Sequence, residues 1–268
     1  MAEPWRPSGI ITYTTDFGSR DPYVGIMKGV VLSRLPGARI VDLTHEVPPQ
    51  NIGVGAFYVA HSWRWFPTGT VHVVVVDPGV GTERRLLLVR REGQVFLAPD
   101  NGVLAGVTGP GADVTELDVE AVSLPARSST FHGRDVFSPA AASLAGGTPP
   151  EACGIPLEGP GEETSAWPEP ERTGDSISTE VLLVDHFGNL ITALVPDERM
   201  GDLATWAVEI AGCTVPVVRT YGAVSPGDLL ALVDSYGHLE VAVRDGDASK
   251  RLGVGAGAAL KLKRRTNP

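Results

Sequence analysis

Residues 70–85 read TVHVVVVDPGVGTERR. Val71 and the run Val73–Val76 put apolar side chains on alternate and intervening positions alike, so the segment has no solvent-facing side. That is the pattern of a central strand in a sheet covered on both faces. It ends at Asp77 and a glycine loop. Working back toward the N-terminus, 51–66 (NIGVGAFYVAHSWRWF) reads as a helix with an aromatic stripe and 38–44 (ARIVDLT) as a strand. Before them, 22–35 (PYVGIMKGVVLSRL) has helical spacing, and 9–15 (GIITYTT) is a buried strand that ends at Asp16. Strand, helix, strand, helix, strand is the doubly wound pattern. Forward of the loop, 86–99 (LLLVRREGQVFLAP) reads as a hairpin turning at Glu-Gly, and 138–147 (SPAAASLAGG) as a helix with a glycine stop.

The composition then changes. Residues 155–176 (IPLEGPGEETSAWPEPERTGDS) are rich in Pro, Gly and Glu and read as a linker or crossing segment. After it come seven short strand candidates at roughly ten-residue spacing, with no helix among them: STEVLLVD, NLITALV, WAVEIAG, TVPVVRTY, DLLALVDS, HLEVAVRD and GAALKLK. The expected class is α/β. A doubly wound, largely parallel N-terminal domain (1–155) is followed by a linker (156–177) and a smaller all-β, barrel-like C-terminal domain (178–268).

The chain has 268 residues, 43% hydrophobic and 20% charged, with a formal net charge of −10. That charge argues against a nucleic-acid binder, which would want a basic face. The basic run KLKRR at 261–265 reads as a solvated tail. The two cysteines, Cys153 and Cys213, form no CxxC pair, so neither a zinc site nor a disulfide framework is expected. The N-terminus has no apolar signal core, and no stretch reaches membrane-span length. A soluble cytoplasmic protein without a membrane partner is the expectation.

Ligands of open parallel sheets bind at the carboxyl ends of strands. Asp16 and Asp77 both end strands and therefore share one rim, although either is also a residue type that simply caps a turn. DPGVGT (77–82) lets the backbone pass close to a ligand but lacks the GK[ST] of a P-loop. Arg84 and Arg85 alternate in direction if the chain re-enters a strand, so only one faces the rim. His132 sits in a polar stretch before a helix. DHFGN (185–189) and DSYGH (234–238) read as hairpin turns, each able to face a ligand. DFG at 16–18 has no HRD loop with it, which excludes a kinase.

Taken in order, TDFG, DPGVGTERR, APDNGVL, FHGRD, DHFGN and SYGHLEVAV resemble the S-adenosyl-L-methionine (SAM) hydroxide adenosyltransferases. These are SAM hydrolases in the superfamily of the fluorinase and chlorinase. The resemblance spans nearly the whole chain. It implies a homotrimer whose sites combine the N-domain of one subunit with the C-domain of the next. The implied reaction is SAM plus water giving adenosine and L-methionine, with SAM as substrate and no cofactor or metal. By motif position the catalytic Asp–Arg–His triad falls on Asp77, Arg84 and His132. Asp16 corresponds to the ribose-diol contact and Asp185 to the contact with the methionine amine. Phe187 and Asn189 correspond to contacts with adenosine, and Ser235 to the methionine carboxylate contact. Tyr236 stands where the halogenases have an arginine, and Gln50 where they stack a tryptophan. Backbone near Val243 and Asp245 meets the adenine edge. The halogenases carry tyrosine in place of Asp77 and a serine at the position of Gly133, so the chain resembles the hydroxide branch.

The chemistry agrees with these residue types. Methionine leaves SAM as a neutral thioether, so the demand falls on the nucleophile. Water must be held in line and must lose a proton. Arg84 supplies positive charge without titrating, and His132 is the candidate base, oriented by Asp77. A second reading has the three groups share a hydroxide-like water with no single base. The functional alternatives are a non-catalytic SAM or adenosine sensor and a SAM-dependent halogenase.

Overall fold

The computed structural model describes residues 4–157 and 167–265. Residues 158–166 of the expected linker therefore lie outside the described residues. The chain packs as two compact units, residues 1–166 and 167–268.

The first unit contains β1 (Ile10–Thr15), α1 (Tyr23–Arg34), β2 (Arg39–Thr44), α2 (Ile52–Ser62), β3 (Val71–Val75), β4 (Leu86–Arg91) and β5 (Gln94–Pro99). These are followed by β6 (Asp113–Leu117), α3 (Val119–Val122), α4 (Ser138–Ala145) and β7 (Gly154–Pro156). The strand order is β2-β1-β3-β5-β4-β6-β7. The valine strand β3 is central and buried at every position, as its unbroken apolar run requires. It pairs parallel to β1 and β5, and β1 pairs parallel to β2. Beyond β5 the sheet turns antiparallel and is therefore mixed. The cause is the Glu92–Gly93 turn, both residues of which have positive φ, the geometry of a two-residue hairpin.

Residues at alternate positions divide the two faces. Ile11, Tyr13, Val71, Val73, Val95 and Leu97 share one core with α1 and α4. α4 is SPAAASLA, and its small side chains let it lie buried against the sheet and α1. On the opposite face, Trp63 meets Phe96 edge-on just after α2. α2 stops at Ser62, and residues 63–65 tighten into a 3₁₀ turn instead of continuing the expected helix.

The second unit contains β8 (Glu171–Thr173), β9 (Ser176–Val184), β10 (Leu190–Thr192), β11 (Trp206–Ile210), β12 (Cys213–Pro216) and β13 (Leu229–Val233). After these come β14 (Leu239–Val243), α5 (Ala248–Leu252) and β15 (Ala259–Arg264). All seven expected strands are present. β8 adds to β9, so strand reaches into the segment read as linker. The order is β12-β11-β15-β9-β10-β14-β13, and a bridge between Val217 and Ala231 brings the two ends together into a nearly closed barrel.

Two expectations fail here. The unit is not free of helix: Asp247 caps α5 through Lys250 N (2.7 Å), and Gly253 closes it in the left-handed region. The run KLKRR is not a tail through its first four residues. Lys261–Arg264 belong to β15, with Leu260 and Leu262 facing the core, Lys263 paired with Glu209 (2.7 Å) and Arg264 over the Trp206 ring.

Candidate active site

β1 and β3 are registered at Thr15 and Val75, so Asp16 and Asp77 follow these strands at the same carboxyl rim. The Asp16 carboxylate accepts Gln50 N at 2.8 Å, and Gln50 has a positive φ. Asn101, just beyond β5, donates through Nδ2 to Val76 O at 2.9 Å and so fixes the residue before Asp77.

The glycine loop then returns the chain so that Arg84 reaches back to Asp77. Arg84 Nε donates to Asp77 Oδ1 at 2.7 Å, and its Nη2 donates to Asp77 Oδ2 in a forked ion pair. The side chains are 9% and 4% exposed respectively, so the pair is largely removed from water. Arg85 takes the other direction and pairs with Asp100 (2.8 Å). Only Arg84 faces the rim.

His132 is brought in from the far end of the unit. It lies at the start of a π-helical turn (Gly133–Phe137) that runs directly into α4. The preceding segment is pinned by Asp135, a buried carboxylate that accepts Ser128 N (2.7 Å) and the Arg134 guanidinium (2.6 and 2.8 Å). Arg84 Nη2 lies 3.1 Å from His132 Nδ1. A guanidinium only donates, so Nδ1 is the acceptor and the ring proton of the neutral form sits on Nε2. Burial and, secondarily, the Arg84 charge hold the His132 pKa below the ordinary histidine value, which keeps the ring neutral at pH 7. Phe17, Tyr23 and Phe131 form an edge-to-face cluster among residues flanking Asp16 and His132.

The structure thus brings Asp77, Arg84 and His132 into contact. In the second unit the two polar turns share one construction. Asp185 Oδ1 accepts Phe187 N and Asn189 N, each at 2.8 Å; Asp234 Oδ1 accepts Tyr236 N and His238 N, also at 2.8 Å. Asn189 Nδ2 also donates to Asp185 Oδ2 (3.0 Å). Phe187 is 71% and Tyr236 48% exposed. α5 docks on the first turn through Ser249 N to Gly188 O at 2.9 Å. Antiparallel pairing of β10 with β14 sets Asp185, Phe187 and Asn189 beside Val243 and Asp245, while Ser235 and Tyr236 lie at the other end of β14. The sequence reading missed Asn101, Asp135 and the α5 cap. It also passed over Glu240 and Tyr221, although a charge at an interior position of the strand LEVAV was a signal. Among the described residues no group of three or more His, Cys, Asp or Glu stands ready to hold a metal ion.

Both units of the chain match known proteins. Residues 11–154 match the SAM hydroxide adenosyltransferase N-terminal domain, and residues 179–261 match the C-terminal domain of the same family. A relative from Thermus thermophilus named (R)-S-adenosyl-L-methionine hydrolase is 40% identical, over 94% of this chain and 98% of its own length. A fluorinase from Actinoplanes sp. is more distant at 28%, over 89% and 92% of the two chains. The crystal structure of an uncharacterized conserved protein from Thermotoga maritima superposes with a TM-score of 0.87 at 36% identity, covering 95% of this chain and all 100% of that one. Two family domains matched in order across most of the sequence leave one assignment: the chain belongs to the SAM hydroxide adenosyltransferase family.

Proposed function

We propose that the protein hydrolyses SAM at C5′ and that Asp77, Arg84 and His132 carry the reaction. The observation behind this is their mutual hydrogen bonding at the strand rim. In the step, water oxygen forms a bond to C5′ as the C5′–S bond breaks. The bonding pair goes to sulfur, methionine departs as a neutral thioether, and one proton is released. The tautomer of His132 favours a shared site over a single base. Nδ1 already accepts from Arg84, and Nε2–H can donate to the water oxygen but cannot take its proton. The triad then lowers the cost of hydroxide character collectively.

Asp16 would hold the ribose diol and Asp185 the amino group, with Phe187, Asn189 and backbone near Val243 and Asp245 along adenosine, and Ser235 and Tyr236 near the carboxylate. SAM is the only small molecule this chemistry requires. A homotrimer, with the first unit of one copy serving the second unit of another, completes the reading, in a cytoplasmic setting. No helix among the described residues is long and apolar enough to cross a membrane.

The test is chromatography of products from SAM, with each sulfonium epimer supplied separately because the Thermus relative's name specifies the R form. Adenosine and methionine in equal amounts, abolished by Asp77→Ala, are expected. A chlorinated adenosine in the presence of chloride would overturn the hydrolase reading, as would binding without turnover. A monomer mass by sedimentation would remove the trimer.

A further inference from the structure

Tyrosine hydroxyls bond to buried side chains in both units. In the second, Tyr221 donates to Glu240, a carboxyl 3% exposed in the middle of β14, at 2.7 Å. In the first, Tyr13 lies in β1 three residues before Asp16, and Ser138 opens α4 six residues after His132. Both Tyr13 and Ser138 are fully buried, and their side-chain oxygens are 2.9 Å apart. Ser138 Oγ also donates to Gly133 O at 2.7 Å. A carbonyl only accepts, so the one serine proton goes there, and Tyr13 is the donor to Ser138. Burial pushes the Tyr13 pKa up, so the phenol keeps its proton well into alkaline solution. The result is a directed chain from Tyr13 OH to Ser138 Oγ to Gly133 O.

This chain closes on the π-helical turn that follows His132. Ser138 N donates to the same Gly133 O, five residues back, which is the π spacing. One residue thus binds one carbonyl through both its main chain and its side chain. A serine hydroxyl that bonds a carbonyl of its own helix competes with the ordinary ladder, and here it holds the wider turn. On its other side Gly133 packs against α1, where an added Cβ would stand 3.0 Å from Met27 Sδ. The width of the turn decides where His132 points. Tightening it to α geometry would rotate the preceding chain by about 100° around the helix axis and shift it by about 1.5 Å. His132 immediately precedes Gly133, and its Nδ1 is 3.1 Å from Arg84 Nη2. A rotation of that size takes the ring off the guanidinium. The surrounding core, with Ile11, Val73, Phe137 and Ala141, is apolar. Two apolar side chains of matching shape would fill it without needing partners, so packing alone does not call for the hydroxyls.

We propose that Tyr13 and Ser138 are positioning residues for the reaction: their hydroxyl chain holds the π turn and so sets the direction in which His132 meets Arg84. This rests on the reading above that His132 takes part in the reaction. It also bonds β1, which leads to Asp16, to the turn that carries His132.

The test follows the His132 ring itself. Burial and Arg84 lower its pKa, Arg127 acts in the same direction, and Asp77 and Asp135 oppose them. A ring that swings off Arg84 toward water should titrate nearer the ordinary histidine value. Nuclear magnetic resonance of imidazole-labelled protein, without substrate, reads both that pKa and the Nε2–H tautomer. In Tyr13→Phe and in Ser138→Ala the His132 pKa should move up and the single-tautomer signature should be lost. The kcat for SAM should fall about threefold in the first and about tenfold in the second, with KM within about twofold of wild type. The acid midpoint of activity should rise with the ring pKa. Because Tyr13 acts through Ser138, the double variant should lose no more activity than Ser138→Ala alone. A lowered melting temperature with an unmoved His132 pKa would make the pair a stability device and overturn the proposal, as would additive losses in the double variant. Tyr13→Phe keeps its ring in the core and carries the test if Ser138→Ala does not fold. If the wild type does not turn SAM over, the hydrolase reading fails, and the His132 pKa in the two variants still decides the positioning role.

Discussion

Arg84 holds two partners at once, the Asp77 carboxylate by a fork and His132 Nδ1 by one further contact from the same Nη2. A lysine at this position carries the charge but is a single point donor on a flexible stem. Arg84→Lys is expected to lower kcat/KM by about a hundredfold or more, since the ring loses the contact that fixes its tautomer. Activity of the wild type should fall on acidification with a midpoint below the ordinary histidine pKa. Protonation would then place an N–H on Nδ1 directly against the Arg84 donor. A midpoint above 6.5 would contradict the tautomer argument. Part of this trio was legible from the chain itself: Asp77 from the end of the valine strand, and one arginine of the Arg84–Arg85 pair from their alternation, with the choice of Arg84 left to the family resemblance. The proton position on His132 was not, because it depends on which donor reaches which nitrogen across 48 residues of sequence.

The loop between β3 and β4 and the segment before His132 depend on one another. Gly81 has φ +82, and a Cβ there would stand 2.7 Å from Ser129 O, against backbone that cannot swing aside. Gly81→Ala should therefore cost about 1–3 kcal/mol in stability. It should also depress kcat beyond what the lost stability explains, because Ser129 lies three residues before His132. Thermal melts and steady-state rates measure the two effects; unchanged values for both would show that the loop relaxes freely. Elements with strong periodicity were readable: β3, α1 and the Glu92–Gly93 hairpin all appear where the pattern puts them. The short ones were not. β6 and α5 carry too few residues for a period to emerge, and α5 is betrayed only by its cap, Asp247, and its left-handed Gly253.

For the molecule as a whole, composition separated an α/β half from an all-β half, and seven turn-bounded segments foretold the barrel strands. The switch from parallel to antiparallel pairing at β5 was implicit in the hairpin beside it, yet the place of β6 and β7 at the sheet edge needed contacts that no local pattern encodes. The burial of Glu240 also reaches beyond its own strand, to the balance between folded and unfolded states. Unfolded, that carboxyl loses its proton near 4.5; folded, it keeps it to about 7. The folded form therefore binds more protons in that interval, and its stability declines as pH climbs from the lower value to the upper before levelling off. The loss is on the order of 3 kcal/mol. Without ligand, Glu240→Gln should melt near the wild type at pH 5 and distinctly above it at pH 8, and a melting gap that is the same at both would contradict this. The burial of this one carboxyl therefore weighs most on the fold under mildly alkaline conditions, where the buried group must carry its charge.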